Sequence, residues 1–292
     1  MQTAGKTEIT VIAGLLFMAV CFLLFTQFSL RPRLWLYPLA RQAAAAKLSY
    51  EARQFQQQET EHFIIVYPLE DADQVQLVAK AAEAAYEPVR NLLAYSRSEK
   101  SILYIQPGRS ELRKALGWSG DESAMGVYYG GSIQILSPKA WMQPDDGPEV
   151  FWQNGPVAHE FTHLLLDYQT NGNYTRWYTE GLAQYAEYKI THYEWLTGTN
   201  KLTGPLYSLS ELDDHFDDLD NQSLAYREAF AAVRFIAERQ GEQALQEIDR
   251  QLAQGVALKQ ALTTVTGLSY SDYETAWKAW AAKLDETRER HS

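Results

Sequence analysis

Two histidines four residues apart, with a glutamate directly after the first, stand in the stretch "PVAHEFTHLLLDY" from Pro156 to Tyr168. Four residues of α-helix turn through about 400°, so His159 and His163 leave from one face a turn apart, and their imidazoles can converge on one ion. Glu160 is turned by about 100° from His159 and can face the open side of that ion without ligating it. Such an arrangement suits hydrolysis. A catalytic zinc ion takes three protein ligands and keeps a fourth position for water, whose proton a nearby carboxylate can accept. Glu160 is then the candidate general base. The same spacing also arises by chance on an ordinary amphipathic helix, so the metal reading depends on a third ligand. The only cysteine is Cys21, in the most apolar segment, so any metal must be held by His and carboxylates.

The stretch "RWYTEGLAQY", Arg176 to Tyr185, supplies a carboxylate in Glu180. Asn154-Gly155-Pro156 reads as a helix start and Asn171-Gly172 as a stop, which leaves room for the chain to reverse before a second helix from Arg176 to about residue 190. Two histidines and Glu180 would then meet on one Zn2+ ion from antiparallel helices. Asp167, one turn beyond His163, is placed to accept the free N–H of a ligand histidine, and Gln184, one turn after Glu180, to do similar work. Their plain alternatives are a solvated acid at a helix end and an exposed polar residue. His62, His192, His215 and His291 have no partner at ligand spacing.

With Trp177, Glu180, Gly181, Ala183 and Tyr185, this segment resembles the gluzincin branch of the HExxH zinc metallopeptidases, whose third ligand is a Glu in a W-x-x-E-G-x-A-x-Y-like segment. The later stretches "PLYSLSELDDHF", "AYREAFAAVRFIAERQG" and "GLSYSDYETAWKAW" look like the C-terminal half of peptidase MA-like domains. In order they are similar to the catalytic subdomain of clostridial collagenases. The likeness covers residues 149–284, about half of the chain. It implies a zincin-like fold and cleavage of a peptide or protein substrate, without implying collagen. It also implies a role for Tyr226 in "AYREAF", which matches a tyrosine that donates a hydrogen bond to the oxyanion of the tetrahedral intermediate. Taken alone, Tyr226 heads an inward stripe with Phe230 and Val233, which ring packing equally explains.

The elements that would position these residues read as strands first and helices afterward. "HFIIVYP" and "SILYIQP" are strands, separated by a helix from about residue 73 to 93, and "MGVYYGGSIQILSP" is a hairpin turning at Gly130-Gly131. Its strand from Gly131 to Leu136 offers an edge to which an extended peptide could add, or is simply a sheet edge. Helices are expected over 223–239, "EQALQEIDRQLAQG" and "SYSDYETAWKAWAAKLDETRER", and the acidic run "ELDDHFDDLD" is expected to be a solvated loop, with a calcium site as the other reading. The fold class is therefore α+β.

Forty-six per cent hydrophobic residues in 292 give enough apolar material for a packed body, and a net charge of −11 without a Lys/Arg cluster argues against a nucleic-acid partner. Residues 9–30 carry no charge and would reach roughly 33 Å as a helix, enough to span a bilayer. They predict one transmembrane helix, contact with the lipid bilayer, and a single-pass N-terminal anchor in the cell membrane. Flanking charges lean weakly toward a cytoplasmic body, but long polar domains translocate regardless of such a bias, and an extracytoplasmic body is expected. The organisation is then a tail and anchor at 1–30, a juxtamembrane stalk at 31–58 and a peptidase-type domain at 59–288. Two rival readings remain: an inactive relative of the same fold that binds an extended peptide, and a scaffold with a chance HExxH.

Overall fold

Short β-branched and aromatic runs separated by helical stretches dictate a mixed sheet. The computed structural model describes residues 32–119 and 124–289. Helix α1 (Pro32–Glu51) leads into β1 (Gln56–Glu59) and β2 (Phe63–Tyr67), α2 (Val75–Leu93), β3 (Ser101–Gln106), α3 (Arg109–Leu116), β4 (Gly126–Tyr129) and β5 (Ser132–Leu136). The five strands lie in the order β1-β2-β3-β5-β4. The β2–β3 and β3–β5 pairs are parallel, and the edge strands β1 and β4 are antiparallel to their neighbours. Because β5 lies inside the sheet with all its residues buried, the edge expected at 131–136 is not free. The edge on this side of the sheet belongs to β4. The hairpin between them turns as expected through Gly130 and Gly131, at φ 59° and 82°.

Alternation along the central strands divides their side chains between two layers. Phe63, Ile65, Leu103, Ile105, Ile133 and Ile135 join the main core, beneath the apolar stripe of α2 that includes Val78, Ala82, Ala85 and Val89. On the other face Val66 and Tyr104 meet Leu48 of α1.

The second half is helical: α4 (Pro148–Asn154), α5 (Val157–Thr170), α6 (Arg176–Thr191), α7 (Leu209–His215), α8 (Gln222–Gln240), α9 (Glu242–Ala253), α10 (Leu258–Thr266) and α11 (Tyr270–Glu289). Asn154 ends α4 instead of capping α5, whose N-cap is Pro156. Part of the acidic run expected as a loop is α7, because Ser208 and Glu211 form a reciprocal capping box at its start. Gly181 of α6 lies so close to α8 that a Cβ there would stand 2.2 Å from the Ala229 carbonyl oxygen. The absent side chain is what lets these two helices touch.

The α+β architecture is present, but the expected transmembrane helix is not supported. No described helix is long and apolar enough to cross a membrane. A span needs about 20 mostly apolar residues, whereas α1 carries Arg41, Lys47 and Glu51, and α11 carries Asp272, Glu274 and Lys278. The single-pass localisation and the lipid contact lose their support with it. Residues 9–30, on which they rested, lie outside the described residues.

Candidate metal centre and its groove

Helix α5 presents His159 and His163 on one face, with ring centroids 4.7 Å apart. Asn171 and Gly172, both left-handed at φ 51° and 73°, end the helix and turn the chain back. Helix α6 then returns past the histidines and buries Glu180 between them. Glu180 Oε2 is 3.2 Å from His159 Nε2, and its Oε1 is 3.6 Å from His163 Nε2. One ligand atom from each of the three residues lies within 4.8 Å of the others, so the set can hold a metal ion.

The opposite ring nitrogens are engaged by residues the sequence did not single out. His159 Nδ1 donates to Glu187 Oε2 at 2.9 Å, and His163 Nδ1 is hydrogen-bonded to Thr179 Oγ1 at 2.6 Å. These contacts turn both Nε2 atoms toward Glu180. Glu187 follows Glu180 by seven residues, two turns along the same helical face, and that spacing was the available signal.

Charge is concentrated here. Burial by itself would raise the Glu180 carboxyl, but His163, His159 and Arg176 outweigh it and hold the group well below the usual carboxylate range. Burial would lower His159, yet Glu187 and Glu180 beside it push the ring well above its ordinary value. Glu160 is raised, chiefly by burial, with the two histidines pulling it partly back. The backbone N–H of Tyr128 is turned toward its carboxylate and also pulls it back, so β4 lies beside this group. Gly126 makes that approach possible: a Cβ there would lie 2.8 Å from Glu160 Cγ and 2.6 Å from Pro156 Cβ.

Tyr226 stands across the site on α8, its ring against Trp195 and Phe216. Arg176 donates to its hydroxyl at 3.3 Å and contacts Glu180 Oε1 at 2.5 Å. Burial first, and then Glu180, raise the Tyr226 hydroxyl, so it stays protonated and able to donate. Gln184 donates to the Tyr226 carbonyl at 2.8 Å and to the Glu180 carbonyl at 3.4 Å, which fastens α6 to α8. Asp167, fully buried, accepts from Tyr37 at 2.6 Å, Arg41 at 2.7 Å, Tyr128 at 2.5 Å and Tyr174 at 3.0 Å. It joins α1, β4 and the α5–α6 turn, while the histidines take Glu187 and Thr179. His159, Glu160, His163, Glu180 and Tyr226 all open onto one groove of about 820 Å3. His62 lies elsewhere, paired with Glu83 and stacked on Tyr86.

The His-His-Glu cluster, with a second carboxylate in Glu160 beside it, lies at the junction of a mixed sheet and a helical half, an arrangement in keeping with a peptidase-like protein. Residues 94–283 match the Peptidase MA superfamily, and the chain belongs to it. Members of that superfamily are typically metallopeptidases. No curated protein matches the chain.

Proposed function

We propose that this chain is a zinc-dependent endopeptidase of the gluzincin type, with His159, His163 and Glu180 holding one Zn2+ ion and Glu160 as general base. The observation that carries the reading is the convergence of both Nε2 atoms on one carboxylate while both Nδ1 atoms are engaged elsewhere. The donor set fits the metal. Ligands held at about 2.0–2.1 Å around a tetrahedral zinc ion lie roughly 3.3 Å from one another; the two Nε2 atoms stand 3.2 and 3.6 Å from the two Glu180 oxygens, and one donor atom from each residue lies within 4.8 Å of the others. The order of the later segments, similar to that of collagenase catalytic subdomains, is in keeping with this type.

When bound, zinc supplies Lewis acidity toward water and toward the substrate carbonyl. Glu160 takes the proton of the attacking water on its carboxylate and returns it to the leaving amine. Its raised pKa suits both halves of that task. The Tyr226 hydroxyl donates a hydrogen bond to the oxygen on which negative charge develops. Gln184 keeps Tyr226 in register with Glu180. An extended peptide adds as a further strand to the free edge of β4, whose Tyr128 N–H already faces Glu160.

The test compares zinc content and turnover of wild type, Glu160→Gln and Tyr226→Phe on a peptide mixture. Zinc should remain near one ion per chain in all three. Turnover should fall by about 10²–10⁴ for Glu160→Gln and about 10²–10³ for Tyr226→Phe. A wild type that holds zinc and cuts nothing would sink the enzyme reading in favour of a peptide-binding role.

A further inference from the structure

Helix α1 lies outside the residues that match the superfamily, yet it forms part of the groove. Tyr37, Ala40, Arg41 and Ala44 line it together with His159, Glu160 and Glu180. Their spacing of three, four and seven residues puts them on one face of the helix. This face is held tightly: Tyr37 and Arg41 both donate to the buried Asp167, and the Arg41 guanidinium sits 3.8 Å from the Tyr168 ring centroid. The helix also presses on the hairpin turn. A Cβ at Gly130 would be 2.7 Å from Ala44 Cβ, and one at Gly131 would be 3.0 Å from Arg41 Cγ. Helix α1 thus packs directly on the turn at the end of β4.

Strand β4 therefore runs from the general base to a wall. It starts at Gly126, against Glu160, while Gly130 abuts α1. At about 3.4 Å per residue, the distance from the base to the wall is roughly 7–13 Å, or about two to four residues of extended chain. A peptide paired antiparallel to β4, the more stable arrangement for an added strand, points its amino end toward Gly130 and so toward α1.

We infer that α1 is a stop for the amino-terminal side of the substrate, so that the chain cuts peptides within about two to four residues of their amino terminus and accepts long carboxyl-side extensions. This rests on the peptidase reading and narrows its substrate class. Ala40 is the residue to alter, because it is exposed on the wall and belongs to neither the metal cluster nor the Asp167 contacts.

Two measurements on the full chain test it. In the first, a mixture of unstructured peptides is digested by the zinc-loaded protein, and the number of residues before each cut is read by mass spectrometry. Cuts should cluster near the amino terminus, and Ala40→Trp, which thickens the wall, should shift the cluster toward the amino terminus by one or two residues. In the second, the Glu160→Gln variant is titrated with fluorescent peptides lengthened on one side at a time. Affinity should fall about tenfold once the amino side exceeds roughly four residues, a loss of about 1.4 kcal/mol, and should not fall with carboxyl-side length. Cuts spread along long peptides, a distribution indifferent to Ala40→Trp, or a limit on the carboxyl side instead would each overturn the wall and leave the peptidase reading standing. Length-dependent binding without any cleavage would keep the wall and remove the peptidase reading. Absence of both binding and cleavage removes both.

Discussion

Glu187 shows how a residue outside the HExxH motif can set the chemistry of one inside it. By occupying His159 Nδ1 it fixes which ring nitrogen turns inward, and it strengthens that nitrogen as a donor to a metal. Glu187→Ala should therefore weaken zinc affinity by about 10–100-fold while leaving the fold in place. Competition against a chelator of known affinity measures this, and an unchanged constant would reduce Glu187 to a bystander. His159, Glu160, His163 and Glu180 could be picked out in the sequence because helical spacing alone puts the histidines on one face. Glu187 left only its seven-residue spacing from Glu180 as a signal, and Thr179 and Tyr128 left none, since what they touch depends on how α6 and β4 lie against α5. Asp167 teaches the same lesson from the other side: its place one turn after His163 suggested a histidine partner, and its four donors come from α1, β4 and the α5–α6 turn.

Between elements, two glycines decide how closely the parts of the site approach. Gly126 lets β4 lie on Glu160, and Gly181 lets α6 lie on α8 beside the third proposed ligand. Gly181→Ala would put a methyl group 2.2 Å from the Ala229 carbonyl, a backbone atom that cannot step aside. The helices must separate, at a cost of about 1–3 kcal/mol by analogy with overpacked cores. We expect a lower melting temperature together with weaker zinc binding, because Glu180 is carried by the helix that moves. Full zinc affinity in a destabilised variant would show that Glu180 does not depend on this contact. The elements themselves were mostly legible: α2, β2, β3, the hairpin and α5–α6 follow from periodicity and turn residues. Helices α3, α4 and α10 are short, and α7 was hidden in an acidic run whose capping box was the signal overlooked.

At the scale of the whole molecule, a buried carboxyl that does not line the groove makes stability depend on pH. Asp249 of α9 is fully buried and accepts only the Tyr178 hydroxyl of α6, at 2.8 Å on Oδ1, with Oδ2 left without a partner. Burial pushes its pKa up to about 7, and the Tyr178 hydrogen bond pulls it only partly back. The folded chain thus keeps a proton that an unfolded aspartate releases near about pH 4. Asp249's contribution is fully present below that pH, declines as pH rises through the interval to 7, and is flat above it. Asp249→Asn should accordingly match wild type near pH 4 and exceed its stability near pH 8 by on the order of 1–4 kcal/mol. Denaturant unfolding at the two pH values checks this, and parallel profiles for the two proteins would rule it out.

The amino-acid sequence by itself determined the α+β class, the two site helices and the identity of the residues proposed to bind metal, because those depend on local periodicity, turn chemistry and spacing along single helices. It also suggested a membrane anchor that no described helix supports. Only the tertiary structure decided which strand is the free edge, which groups hold the histidines, and that α1 stands at the end of β4. Those are contacts between residues up to about 130 positions apart, such as Tyr37 and Asp167. They are set by how layers pack, which leaves no periodic trace in the chain.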